Sequence, residues 1–179
     1  MKIAKTIILL LLAISMATCR NAGTPQAEET HPGEYAAPDD ASDGIQRMNT
    51  YDYSDTLRIQ GHTFVYSIHR EASDSLPFVT DDFGVNFADN IFSLTVQRDG
   101  ASFLHKTLTK ANFACMLTDE MRRCGVLDGM RCDTTLEGLC FAVSVSQPQS
   151  DLYLPFILSV DANGNTAITR DNRSEMELE

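Results

Sequence analysis

From Tyr51 onward, apolar and polar positions alternate with period two through most of the chain, the spacing that puts successive side chains on opposite faces of a strand. In Leu57 to Arg70 (LRIQGHTFVYSIHR), Phe64, Tyr66 and Ile68 fall on one face and Thr63, Val65 and Ser67 on the other. The segment predicts one long strand, with Gly61 marking a bulge. A loop is expected through Ser73-Asp74-Ser75, Pro77 and Asp81-Asp82-Phe83-Gly84. Phe92, Leu94 and Val96 then alternate with Ser93, Thr95 and Gln97, and Phe103 to Leu108 runs back after Asp99-Gly100. Asp-Gly between two alternating runs predicts a type I′ hairpin, because glycine takes φ > 0 without steric cost.

The period then changes. In KANFACMLTDEMRRC after Thr109, the apolar residues Phe113, Leu117 and Met121 recur every four, with Ala114 alongside. This predicts one helix capped by Thr109 and ended by Gly125, with Arg122 and Arg123 at its negative pole. Cys115 lies off that stripe and is expected to pack as a small apolar group. Alternation returns in Met130–Thr135, Leu139–Gln147, Leu152–Val160 and Thr166–Arg170. A two-residue turn at Glu137-Gly138 would set Cys140 opposite Thr135. Leu139, Phe141, Val143 and Val145 share one face of their strand, and Cys140, Ala142, Ser144 and Ser146 share the other. The expected fold is α+β: an antiparallel, curled sheet of about six to seven strands with one packed helix, or alternatively a β-barrel-like fold or β-sandwich with one helix.

The first nineteen residues follow another rule. Lys2 and Lys5 precede the unbroken apolar run Ile7–Ile14, and Ser15-Met16-Ala17-Thr18 leads to Cys19. The run is about half the roughly 20 residues a membrane-spanning helix needs. This is the layout of a bacterial lipoprotein signal peptide, which predicts removal of residues 1–18 and lipidation at Cys19. Met16 and Thr18 depart from the usual residues before such a cysteine, and an ordinary secretory cut after Ala17 is the competing reading. Arg20 in place of Asp gives no inner-membrane retention signal, so the expected location is the outer membrane, lipid-anchored, with the domain periplasmic or surface-exposed.

The 179 residues carry 14 basic and 25 acidic side chains, and a leader that removes two lysines and no acid takes the net charge from −11 to −13. Such a surface repels nucleic acid and excludes it as a partner. Residues 19–50 are rich in Pro, Gly and acids and are expected to form a disordered acidic tether. It spans roughly 30 Å root-mean-square and holds the domain off the lipid. A single domain over 51–171 and a polar tail over 172–179 complete the expected organisation.

Three segments, NIFSLTVQRDGASFLHKTLTKANFACML from Asn90, GVLDGMRCD from Gly125 and FAVSVSQPQSDLYLPFILSVDANGNTAITRD from Phe141, share a wider pattern. Together the chain from Leu57 to Asp171 resembles an uncharacterised bacterial lipoprotein family, domain of unknown function 4738. The resemblance implies an exported or lipid-anchored envelope protein with no assigned activity and no catalytic motif.

Candidate chemistry is sparse. Cys115, Cys124, Cys132 and Cys140 contain no CxxC; free thiols and one or two disulfides both remain open. His31 falls in the tether, His62 and His69 face opposite ways on one strand, and His105 lies on the hairpin. Asp81-Asp82 and Asp161–Asn165 have a calcium-loop flavour but read better as turns. Hydrolase, phosphate-loop and dinucleotide motifs are absent, and neither metal nor cofactor is expected. Tyr51, Tyr53 and Tyr66 form the candidate ligand surface. The expected function is therefore a non-enzymatic binding module for an envelope protein, peptide or glycan. A structural or assembly accessory subunit of an outer-membrane complex is the alternative. A hydrolase would require His62 or His105 beside a carboxylate in a concave pocket.

Overall fold

The structure is a computed structural model that describes residues 43–173. The leader, Cys19, His31 and most of the expected tether lie outside the described residues, as do residues 174–179. Eleven strands are described: β1 (Ile45–Gln46), β2 (Tyr51–Ile59), β3 (His62–Ser73), β4 (Val79–Thr80), β5 (Asn86–Phe87), β6 (Asp89–Arg98), β7 (Ala101–Leu108), β8 (Val126–Cys132), β9 (Leu139–Ser146), β10 (Tyr153–Val160) and β11 (Thr166–Arg170). They form two four-stranded antiparallel sheets, ordered β2-β3-β6-β7 and β11-β10-β9-β8, and a small sheet β1-β5-β4 in which β1 and β5 run parallel. The expected single sheet of six to seven strands is thus replaced by three sheets, an arrangement consistent with the sandwich-like alternative. Among the described residues no helix is long and apolar enough to cross a membrane.

The two large sheets share one core. Phe64, Tyr66, Ile68, Phe92, Leu94 and Val96 face Phe141, Val143, Val145, Phe156 and Leu158, and the Tyr66 and Phe141 rings meet edge to face at 5.5 Å. These are the inward sets that the alternation predicts. A satellite cluster of Val79, Phe87, Cys124 and Val126 lies under the small sheet. Folded structure also begins before Tyr51, since β1 pairs with β5 and Met48 is buried.

Four local expectations change. Leu57–Arg70 is not one bulged strand. Gln60 and Gly61 both take positive φ, 50° and 86°, and turn β2 onto β3 as a second tight hairpin with Ile59 opposite His62. Asp99 and Gly100 make the expected turn, with φ of 53° and 82°. The expected 15-residue helix divides into a 3-10 helix over Lys110–Met116 and a short α1 over Asp119–Cys124. The break has a local cause: the Thr118 hydroxyl accepts from Met121 N at 3.2 Å and starts a new helix. Arg122 then donates to the Ala114 and Leu117 carbonyls left open behind it. Phe113, Leu117 and Met121 stay buried through the break, whereas Ala114 and Cys115 are exposed, against the packing expected of Cys115.

β8 starts and ends earlier than the alternation suggests. Cys132 sits opposite Phe141, and Asp133 N–H donates to Cys140 O at 2.8 Å, so Cys140 is not opposite Thr135. Asp133 causes this by accepting from both the N–H and the hydroxyl of Thr135, at 3.0 and 2.6 Å, which rolls the chain into a wider loop. Gly125 follows α1 at φ −84°. Its requirement is closeness rather than handedness: a Cβ there would lie 2.6 Å from Met121 O and 2.9 Å from Val145 Cγ1.

Phe113 closes one end of the core, fully buried and 5.0 Å from the Phe156 ring. Truncating it leaves a void the rigid sheets cannot fill. Phe113→Ala is expected to lower unfolding free energy by about 3–5 kcal/mol, measured by urea denaturation; a loss below about 1 kcal/mol would show that the segment contributes little to the core.

Candidate functional site

The sequence-predicted tyrosines form a continuous row that does not open as a common surface. Tyr51 and Tyr53 stack at 6.4 Å, and Tyr53 lies 6.1 Å from Tyr66. Tyr66 is a core residue, only 4% exposed, and burial pushes its phenol above the ordinary tyrosine range. Tyr51 lies against the Arg70 guanidinium at 5.7 Å. Tyr53 alone gives much ring to solvent, 42% exposed, with its hydroxyl 3.3 Å from Asp55.

His62 and His69 fall on opposite faces of β3, paired with Asp99 at 2.6 Å and Asp52 at 2.7 Å. His105 is exposed on β7. His62 does line a cleft of about 300 Å³ beside a carboxylate, yet no serine, threonine or cysteine lines that cleft. The four described cysteines are free thiols, and burial raises the pKa of Cys124, Cys132 and Cys140. Among the described residues no group of three or more His, Cys, Asp or Glu is placed to hold a metal. The two loops with calcium-site flavour spend their aspartates on their own backbones. Asp81 Oδ1 accepts from Phe83 and Val85 N–H, and Asp161 Oδ1 from Asn163 and Asn165 N–H, all at 2.8–2.9 Å.

Another concavity lies on the outward face of β8, β9 and β10. Cross-strand register puts Gly129 beside Ser144 and Ser144 beside Pro155; Arg131 pairs with Ala142, and Ser146 with Tyr153. Gly129, Ala142 and Ser144 are too small to fill the face and form a floor. Arg131, Tyr153 and the Asp171–Arg173 pair stand around it, enclosing about 350 Å³. A second cleft of about 600 Å³ continues past Ser146 over the Gln147–Asp151 loop, and Asp128 and Tyr153 line both. The result is one polar groove with Asp128 at its middle.

Asp128 reaches that position through a β-bulge. Leu127 pairs with Val145 and Gly129 with Ser144, leaving Asp128 as the extra residue. Its carboxyl accepts from the Ser144 hydroxyl at 2.6 Å. Burial raises its pKa against the opposing pull of Ser144 and Ser146. Gly129 makes room for this contact, because a Cβ there would stand 2.4 Å from Ser144 Oγ. At the far wall Arg173 binds Asp133 and Asp171, at 2.6 Å each. Thr135 first and Arg173 second hold the Asp133 carboxyl down at about 2.

The groove was missed because its signal is an absence of bulk. Cys140, Ala142, Ser144 and Ser146 were legible as one small-residue face of β9. The bulge that brings Asp128 onto that face has no sequence mark beyond Asp128-Gly129.

Two acids of opposite shift give opposite pH signatures. Asp128 holds its proton more tightly folded than unfolded, so its burial costs stability as pH rises from 3.8 through its folded pKa. Asp128→Asn is therefore expected to be the more stable protein at neutral pH, with the difference vanishing below pH 3.8, measured as melting temperature against pH. Asp133 contributes stability above pH 3.8 that is lost as pH falls toward 2. Asp133→Asn should cost on the order of 1 kcal/mol at neutral pH, discounted for the half-open Arg173 partner, a cost that shrinks as pH falls through about 2 and vanishes below it. A pH-independent offset in both variants would contradict these assignments.

A family profile described as Domain of unknown function (DUF4738) matches residues 32–168. No curated protein matches the chain. The match covers β1 through the middle of β11, including the groove floor, Asp128 and Tyr153, and the chain belongs to the DUF4738 family.

Proposed function

We propose that this protein is a non-enzymatic cell-envelope lipoprotein, anchored to the outer membrane through acyl chains on Cys19, that binds a ligand in the groove over β8–β10. The basic, apolar and small-residue succession ending at Cys19 supports the anchor, and the acidic stretch after it supports a tether. The observation that carries the binding role is the continuity of the two clefts around Asp128 and Tyr153. Their sizes fall in the range of about 300–1,000 Å³ usual for ligand sites. A binding role rather than catalysis is supported by what surrounds Asp128. Ser144 donates straight to it with no imidazole between, and none of the described histidines lines the groove.

Two measurements test this. In a diderm bacterial host the full chain should fractionate with membranes and carry acyl mass at Cys19, and Cys19→Ala should be released to the soluble fraction. An unacylated mature chain starting at Thr18 would refute the anchor. For the groove, a mixture of solubilised envelope glycans and peptides should shift amide resonances of Asp128, Ser144 and Tyr153 in the soluble domain. Ser144→Tyr, which fills the floor, should abolish those shifts; undiminished shifts would place binding elsewhere.

A further inference from the structure

We infer that the groove takes an uncharged oligosaccharide, one sugar ring lying on the Tyr153 ring and its neighbour offering hydroxyls to Asp128 and Ser144. This rests on the binding reading above and gives the ligand's chemical class. Three features select it. Tyr153 is 56% exposed, yet it stands on a strand paired over its whole length, with Ser146 opposite it and Pro155 two residues on along the same face. That gives a flat apolar platform fixed by the sheet, the surface that the C–H face of a pyranose covers.

Around the platform the groups are those that match hydroxyls. Ser144, Ser146, Gln147, Gln149 and Ser150 can each donate and accept. Asp128 accepts, already oriented by its 2.6 Å bond from Ser144. The buried Gln147 amide oxygen has no hydrogen-bond partner among the described residues, and a hydroxyl entering beside it would satisfy it. From β8 to β10 the face is two strand spacings wide, about 10 Å, which suits a short chain of rings lying across the strands.

Competing ligands fit less well. A peptide added as a strand needs a free main-chain edge; on this sheet that edge is the outer side of β8 or β11, and such a peptide would not lie over the floor strand β9, which is paired on both sides. An anionic ligand needs an unoccupied cation. Arg173 is held by Asp133 and Asp171; Arg131 stands at the wall without an ion pair among the described residues, but an anion reaching it would face Asp128, Asp151 and Asp171 along the groove in a chain of net charge −11.

The test uses the chain from Cys19 to Glu179 with Cys19→Ser. It is titrated by calorimetry and amide NMR with neutral oligosaccharides (chitotriose, cellotriose, maltotriose), a trigalacturonate and an uncharged pentapeptide. At least one neutral trisaccharide should bind and shift Ser144, Ser146 and Tyr153. Tyr153→Ala should weaken it tenfold or more, Asp128→Asn severalfold, and Tyr153→Phe and the distant Tyr53→Ala less than twofold. Variants are compared only with unchanged circular dichroism spectra. Binding of the pentapeptide alone, or of trigalacturonate more tightly than every neutral sugar, overturns the ligand class and leaves the groove a binding site. No groove shift with any probe overturns both. Sugar binding that survives Tyr153→Ala overturns the platform.

Discussion

The arrangement depends on a polar pin that fastens the start of β8 to the opposite sheet. Asp89 Oδ1 on β6 accepts from Leu127 N–H at 2.8 Å, and Asn90 Nδ2 donates to Leu127 O at 2.8 Å. Arg70 on β3 donates to Asp128 O at 2.7 Å and to Asn49 O at 2.8 Å. Asp89, Asn90 and Arg70 are all buried. Edge-strand backbone groups shut away from water must find partners, and here side chains of the facing sheet supply them. Buried charge is expensive unless bonded; Asp89 also has Lys110 Nζ at 3.6 Å, and Lys110 donates onward to Gly125 O. The same pin ties in the N-terminal segment through Asn49.

Pinning residues 127 and 128 from the inside has a consequence outside. With Leu127 and the Asp128 carbonyl held toward the core, the regular pairing of β8 with β9 slips by one residue, and the spare residue turns its carboxyl outward. It arrives over Gly129 and Ser144, where neighbouring side chains are small enough to leave a trough. Core packing, bulge and groove are therefore one mechanical unit: inward hydrogen bonds set the register, and the register sets what the outer face presents. The wall is held separately, by the Asp133–Arg173–Asp171 cluster at the end of β11.

The inward faces were legible because burial and period two leave no alternative: Phe64, Tyr66 and Ile68 or Phe141, Val143 and Val145 could not have faced water together. The Asp99-Gly100 hairpin was legible through turn chemistry, whereas Gln60-Gly61 was not, since alternation continues across it. The helix broke where Thr118 competes for local backbone groups, a signal present in the sequence but outweighed by the Phe113–Leu117–Met121 stripe. The division into separate sheets was hidden because period two says which face is buried and not against what. Tyr66 was read both as part of that inward face and as ligand surface, and only the first reading holds, because it lies mid-strand on β3 between β2 and β6 and is buried. Asp128 depends on Arg70, Asp89 and Asn90, some 40 to 60 residues away in sequence.

The pin is tested most directly by amide hydrogen exchange in Asp89→Ala, comparing Leu127 with Leu158 in the middle of β10. If the Asp89 carboxylate holds the start of β8, Leu127 should lose protection by at least tenfold while Leu158 keeps its own. Equal protection of Leu127 in the variant and the parent would show that β8 is held by other forces and would contradict the account.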